Sequence, residues 1–262
     1  MPKMTLTQIK AAKGQKKLVM ITAYDALFAR LLSESADILL VGDSLANSFG
    51  GHADTLAVGM EEMLYHTKAV CRGAPESFVV MDMPFGSYPD GEAALQNAVR
   101  VYRESSASAI KIEGGREKAD LVRHLCQNGI AVMGHIGLLP QFVRAEGGFK
   151  IKGKEIGDVD RLIADARAIE AAGAFAIVIE GVKAQAAKAI TEAVSIPTIG
   201  IGAGADTDGQ VLVWSDLLGL FEGFKPKFVR RYLEGAALVR ENAARFAEDV
   251  QKGDFPSAQE QY

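Results

Sequence analysis

Residues 36–44 have the sequence ADILLVGDS, a short apolar run that ends in Gly-Asp-Ser. Runs of this kind, rich in Val and Ile, recur along the chain with helical patterns between them, as in strand–helix–strand units of a parallel sheet. We count eight runs, which end at Asp25, Ser44, Pro84, Gly115, Gly137, Gly181, Gly204 and, as the weakest of the eight, Gly219. The pattern predicts an α/β protein with a (β/α)8 fold, the TIM barrel.

Amphipathic helices are predicted between the strands, because apolar residues recur there at three- and four-residue spacing. The predicted helices cover residues 26–35, 60–71, 92–105, 116–128, 160–172 and 183–193. A further helical stretch, 225–248, is expected to pack outside the barrel. An open doubly wound sheet is the alternative, but it would need fewer strands or more residues, and no GxGxxG turn follows the first strand.

The chain length favours one domain. A chain of 262 residues suits one barrel and is short for two α/β domains with separate cores. We predict a single barrel domain over residues 1–262, with a C-terminal helical extension and a polar tail, GDFPSAQEQY. The hydrophobic fraction of 48% is that of a globular protein with a sizeable core.

The charge pattern points away from nucleic acids and membranes. Lys and Arg number 29 against 33 Asp and Glu, and no basic block with interleaved aromatic residues occurs. No apolar run reaches the length of a membrane span, and the N-terminus lacks the apolar segment of a secretory signal. Cys71 and Cys126 have no CxxC spacing and are expected to be reduced and buried. We therefore expect small-molecule chemistry in the cytoplasm.

Polar residues end five of the predicted strands, on the side of the barrel where TIM-barrel enzymes carry their chemistry. They are Asp43, Ser44, Asp82, Lys111, Glu113, His135 and Glu180. Four carboxylates and one lysine would leave a net charge of -3, which raises carboxyl pKa values unless a cation lies among them. Oxygen ligands without a thiolate favour magnesium.

These polar residues also have structural interpretations. The Gly-Asp-Ser turn could cap backbone amides, and Asp82 could be a turn residue on the same grounds. Lys111 and Glu113 lie on one face of a strand and could form an internal salt bridge. His135 could be a satisfied interior group. For Glu180 we favour function, because a carboxylate at the end of an apolar run is costly to bury unless it is paired, protonated or used.

An ordered series of segments resembles the ketopantoate hydroxymethyltransferase family, also called 3-methyl-2-oxobutanoate hydroxymethyltransferase. The matching segments include ITAYDALFA, VGDSLAN, GHADT, DMPFGSY, KIEGG, GHIGLLPQ, GGFKIKG, AIVIE, IPTIGIGAG and TDGQVLV. The resemblance covers most of the chain and implies a barrel of the phosphoenolpyruvate/pyruvate superfamily, assembled as a homo-oligomer, commonly a decamer. It also implies hydroxymethyl transfer from 5,10-methylenetetrahydrofolate to α-ketoisovalerate (3-methyl-2-oxobutanoate), giving ketopantoate for pantothenate synthesis through an enolate stabilised by one Mg²⁺ per subunit.

The resemblance implies roles for individual positions. Asp43 and Asp82 match metal-binding carboxylates, and Glu113 matches a further metal contact, direct or through water. Glu180 matches the catalytic base. The positions that match substrate-binding residues are Asp43, Ser44, Asp82, Lys111 and His135.

Two positions depart from the commoner family pattern. Leu139 stands where GHIGLTPQ would have Thr, and Gly181 follows the base where many members carry a larger residue. Both bear on the shape of the pocket more than on the reaction. A lyase or mutase of the same superfamily, and a ring-forming barrel without activity, are the alternative functions. The chain lacks the loop acid or Cys of the former, and an uncompensated acidic cluster has no use in the latter.

Overall fold

Eight parallel strands close into a barrel in chain order, and the predicted (β/α)8 fold is confirmed. The computed structural model describes residues 4–223 and 225–262. The strands are β1 Leu18–Thr22, β2 Ile38–Val41, β3 Phe78–Asp82, β4 Ala109–Glu113, β5 Val132–Gly137, β6 Ala176–Glu180, β7 Thr198–Ile201 and β8 Gly209–Leu212. Strands β2, β3 and β4 are buried along their whole length, which explains why their apolar runs are nearly continuous.

Helices connect most of the strands. The α-helices among the described residues are α1 Leu6–Ala11, α2 Ala26–Leu32, α3 Leu45–Ser48, α4 Met60–Gly73, α5 Gly91–Glu104, α6 Ala119–Gln127, α7 Ile156–Ala171, α8 Ala184–Ala193, α9 Trp214–Leu217 and α10 Gly235–Lys252. The six predicted crossover helices are all present, with ends that differ by a few residues. Asp25 and Asp90 are the N-cap residues of α2 and α5, and each side chain accepts a hydrogen bond from a backbone N–H of the first turn.

The barrel interior is apolar at the amino ends of the strands. Leu18, Ile38 and Phe78 belong to one buried cluster with Phe175, and the rings of Phe78 and Phe175 meet edge to face at 5.8 Å. Ile9 of α1, which is fully buried, belongs to the same cluster. The predicted site residues, by contrast, lie at or near the carboxyl ends of the strands.

Two sequence predictions near the C-terminus are wrong in their bounds. The eighth strand is Gly209–Leu212 and does not extend to Gly219, because α9 begins at Trp214. A short apolar run such as VLVWSDLL fits a strand and a helix equally well, so its composition misled the prediction. The predicted helix at 225–248 begins only at Gly235, beyond a segment that contains Pro226, and ends before Gly253 in the left-handed conformation.

The described residues divide into two compact units, the first ending at Val213 and the second beginning at Trp214. The first unit contains the barrel, and the second contains α9 and α10. Both cysteines are reduced thiols, with Cys71 buried as expected and Cys126 only half-buried. Within the two described ranges, no helix is both long enough and apolar enough to cross a membrane.

Candidate active site

The register of the sheet brings the predicted site residues together. Asp82 lies opposite Lys111 on β3 and β4, and Glu113 lies opposite His135 on β4 and β5. Glu180 ends β6, where its partner on β5 is Gly137. These side chains all come from the carboxyl ends of neighbouring strands, so one face of the barrel collects them.

Asp43 and Asp82 form a buried acidic pair. Asp43 follows β2 in a turn, and its backbone N–H donates to Oδ2 of Asp82 at 3.0 Å. Their exposed fractions are 4% and 3%. Burial and the charge of Asp82 raise the pKa of Asp43 to about 7. A Cβ at Gly42 would lie 2.8 Å from Oγ of Ser44, so the close approach in this turn requires glycine.

Lys111 connects the acidic pair to His135. Its Nζ lies 3.1 Å from Oδ1 of Asp82 and 2.9 Å from Nδ1 of His135. The contact with Asp82 is an ion pair that lacks hydrogen-bond geometry. Burial lowers the pKa of Lys111, but the charges of Asp82, Glu113 and Asp43 outweigh this effect and raise it. The Lys111–Glu113 salt bridge considered above is therefore wrong, because the ion-pair partner of Lys111 is Asp82.

His135 carries its proton on the nitrogen that faces Glu180. Because a lysine ammonium has donors only, Nδ1 of His135 accepts from Lys111, which leaves the proton on Nε2. Burial and the charge of Lys111 hold the pKa of His135 well below its ordinary value, so the ring is neutral. Nε2 lies 3.3 Å from Oε2 of Glu180, beyond good hydrogen-bond geometry. Asp82, Lys111, His135 and Glu180 thus form one series of contacts across β3, β4, β5 and β6.

Glu180 combines a raised pKa with access from the open end of the barrel. Its side chain is 22% exposed, unlike the buried side chains around it. Burial raises its pKa to about 7, and Lys111 opposes this rise. A carboxylate with this pKa can exchange a proton near neutral pH.

Glu113 lies deeper than Glu180. Its side chain is 1% exposed, and Oε2 accepts the backbone N–H of Gln141 at 3.1 Å. Oε1 lies 3.6 Å from Nδ1 of His135 and has no hydrogen-bond partner. Burial and the charge of Asp43 raise the pKa of Glu113 well above its ordinary value. The charge of Lys111 opposes this rise.

The capping interpretation fails for Ser44. Its side chain makes no capping hydrogen bond at the start of α3, and Oγ lies 2.9 Å from the hydroxyl of Tyr24. The side chain of Asp43 accepts from the side-chain amide of Gln141. Sequence reasoning missed both Tyr24 and Gln141. Two features of the sequence could have indicated them: Tyr24 is a polar residue two positions beyond β1, and Gln141 is a polar residue at the end of GHIGLLPQ.

The buried carboxylates at this end of the barrel are candidate ligands for a divalent cation. In the part of the chain that the structure describes, no three His, Cys, Asp or Glu side chains lie close enough to hold a metal ion. Asp43 and Asp82 are adjacent, and Glu113 keeps one buried oxygen without a partner. Magnesium is commonly held by one or two carboxylates with water and substrate completing its shell. The carboxylate oxygens of Asp43 and Asp82 therefore have the chemistry of a magnesium donor set.

Gly181, which departs from the commoner family pattern, directly follows Glu180 and has a positive φ. Its φ is +55°, and a Cβ there would lie 2.9 Å from Cβ of Leu138 and 3.6 Å from Cδ1 of Ile151. Glycine suits this backbone conformation, and a larger residue would require Leu138 to move.

The closed barrel has the same fold as solved members of the phosphoenolpyruvate mutase/isocitrate lyase superfamily. A solved 2,3-dimethylmalate lyase, titled as a member of that superfamily, has a TM-score of 0.61 at 17% identity over 98% of this chain and 91% of its own. A phosphonopyruvate hydrolase in complex with oxalate and Mg²⁺ has a TM-score of 0.61 at 15% identity, over 98% and 93%.

The family follows from closer similarity. Residues 3–258 match the model of a family described as ketopantoate hydroxymethyltransferase. The 3-methyl-2-oxobutanoate hydroxymethyltransferase of Wolinella succinogenes is 63% identical over 262 residues, which cover 100% of both chains. The chain therefore belongs to the ketopantoate hydroxymethyltransferase family.

Proposed function

We propose that this chain transfers a hydroxymethyl group from 5,10-methylenetetrahydrofolate to 3-methyl-2-oxobutanoate, giving ketopantoate for pantothenate synthesis. Family membership supports the reaction, and one geometric observation supports its mechanism. A carboxyl group with a pKa of about 7, Glu180, lies beside a neutral His135 that also contacts the buried cation Lys111. A carboxyl group able to accept a proton and a buried positive charge therefore contact the same histidine, which supports this mechanism.

Lys111 stabilises the charge that develops on the substrate. Two of its contacts are to Asp82 and His135, so its ammonium group has a third hydrogen to donate to the keto oxygen. That oxygen gains negative charge as the C3 proton leaves, and the interaction is stronger in the transition state than in the ground state. Ser44, whose hydroxyl is oriented by Tyr24, is proposed to bind the substrate carboxylate.

Glu180 removes the C3 proton and the substrate carbon becomes the nucleophile. The pKa of about 7 makes Glu180 a stronger base than an ordinary glutamate while leaving much of it ionised at neutral pH. Water bonds through its oxygen to the methylene carbon of the folate, both carbon–nitrogen bonds break, the two hydrogens of water pass to the nitrogens, and tetrahydrofolate leaves. The C3 carbon then bonds to this one-carbon unit, and the proton held by Glu180 passes to its oxygen, which becomes the hydroxyl of the product.

Asp43 and Asp82 are proposed to hold one magnesium ion per subunit, with Glu113 contacting it through water. When bound, magnesium would supply a Lewis acid that polarises the keto group. The raised pKa values of Asp43 and Glu113 support this assignment, because a cation would offset the burial and the repulsion that raise them. Oxygen atoms of the substrate would complete the ligand shell of that ion.

Assembly and location are also proposed from the resemblance. We infer a homo-oligomer, with a decamer as the expected size, that acts in the cytoplasm without a nucleic-acid or membrane partner. Helices α2 and α4 expose Leu27, Leu31 and Tyr65 by more than 60% each, which supports an interface between copies.

The reaction is tested by mass-spectrometric detection of ketopantoate after the protein is mixed with both substrates and magnesium. We expect product that disappears with a chelator and returns when magnesium is restored. Glu180→Gln is the matched control, since it keeps the shape of the side chain and its contact with His135 but removes the base. A folded, magnesium-binding protein that gives no product would contradict the proposal and favour a lyase or mutase.

A further inference from the structure

Gln141 contacts the acidic pair from the 3-10 helix Pro140–Phe142, which is one turn long, and its side chain is buried. Its Nε2 donates to Oδ2 of Asp43 and to the carbonyl oxygen of Met83, both at 2.9 Å. Its Oε1 accepts from the hydroxyl of Tyr88, which is also buried. Both amide hydrogens and the amide oxygen therefore have partners.

These three contacts fix the orientation of the amide. A flipped amide would bring Oε1 against two acceptors, the Asp43 carboxylate and the Met83 carbonyl, and all three hydrogen bonds would be disturbed. Met83 and Tyr88 therefore hold the amide in place independently of Asp43. A donor held in this way can orient the carboxylate that it contacts.

We propose that Gln141 is a positioning residue for the cation, which holds Oδ2 of Asp43 so that Oδ1 remains for the metal. This inference rests on the magnesium chemistry proposed above. The backbone N–H of Gln141 also donates to Oε2 of Glu113, at 3.1 Å. One residue of the segment after β5 thus orients two of the three carboxylates that surround the proposed cation.

Loss of the amide has a measurable consequence for the metal. Residues that hydrogen-bond to metal-ligating side chains orient those ligands, and their removal typically lowers metal affinity or activity roughly 10- to 100-fold. Without Gln141, one oxygen of Asp43 would lose its donor inside a buried site, and the carboxylate could rotate. We expect magnesium affinity to fall by a factor in this range.

The test measures magnesium binding by titration calorimetry on the substrate-free protein. Gln141→Met keeps the length of the side chain and removes both donors and the acceptor. Tyr88→Phe leaves the donors of Gln141 in place and removes only the hydroxyl that orients them, so we expect a smaller loss of affinity in the same direction. Gln96→Met, at an exposed site on α5, is the matched control and should bind like the wild type.

A kinetic measurement separates positioning from a general structural role. With Gln141→Met, the magnesium concentration for half-maximal activity should rise about as much as the affinity falls, while kcat at saturating magnesium changes much less. Equal magnesium affinity in the wild type and in folded Gln141→Met would overturn the inference. If Gln141→Met does not fold, unchanged affinity in Tyr88→Phe would overturn it. A wild type that binds no magnesium would instead overturn the metal proposal itself, and this inference with it.

Discussion

Replacing Glu180, the proposed base, should stabilise the folded protein and abolish its activity. Glu180 has a pKa of about 7 in the folded protein, against 4.5 for an ordinary glutamate. The folded state therefore binds this proton more tightly than the unfolded state, so Glu180 lowers stability as the pH rises from about 4.5 to about 7. A difference of about 2.5 pKa units corresponds to roughly 3 kcal/mol once the pH exceeds 7.

Glu180→Gln removes this cost. Because 22% of the side chain is exposed, screening by solvent makes about 3 kcal/mol an upper value, and we expect a gain of about 2 kcal/mol in the free energy of unfolding at pH 8. At pH 5 the gain should be below about 1 kcal/mol, since the native carboxyl is then protonated.

Urea unfolding of the metal-free protein at both pH values measures the difference. Glu76→Gln, at an exposed position, is the control and should change stability little at either pH. A variant that is less stable than the wild type at pH 8, or one whose gain is equal at both pH values, would refute the reasoning. Retained activity would show that the base lies elsewhere.

Three further predictions concern the same pocket. The kcat/KM of the wild type should fall as the pH drops below about 7, because Glu180 then becomes protonated, and a flat profile from pH 5 to 8 would argue against its role as base. Asp82→Asn should weaken magnesium binding by about tenfold or more in calorimetry, and an unchanged magnesium requirement would exclude Asp82 as a ligand. Gly181→Ala should lower the free energy of unfolding by about 1–2 kcal/mol, because φ is +55° and Leu138 leaves no room for a Cβ. Gly157→Ala in α7, where a Cβ meets no neighbour, should be neutral or stabilising in the same denaturation assay.

The barrel could be predicted from the sequence because strands β2 to β7 are buried almost throughout, whereas the crossover helices bury one face. These two patterns differ in period, and they alternate through most of the chain. Helix α1 was missed because it has six residues and one fully buried side chain, Ile9, so it shows no period. The eighth strand was misplaced because four residues of strand followed by four of helix resemble one longer apolar run.

The sequence predicts which residues belong to the site but not which of them contact one another. Ionisable residues at strand ends must share one face of a barrel, which is why Asp82, Lys111 and Glu180 could be named together. The partner of Lys111 depends on the stagger between strands, and the sequence does not specify that stagger. Gln141 was missed because an uncharged residue in a connecting segment has no signal until its contacts with Asp43 and Tyr88 are known.

The series of contacts from Asp82 through Lys111 and His135 to Glu180 has a consequence for protein engineering. Each strand from β3 to β6 contributes one residue; the charge of Asp82 raises the pKa of Lys111, and the charge of Lys111 lowers the pKa of His135 and opposes the rise in that of Glu180. A library that varies one of these positions would return mostly losses, since the neighbouring group would be left buried with an unmatched charge or proton. New substrate preference is better sought by varying neighbouring positions jointly, so that compensating pairs arise within a single round of selection.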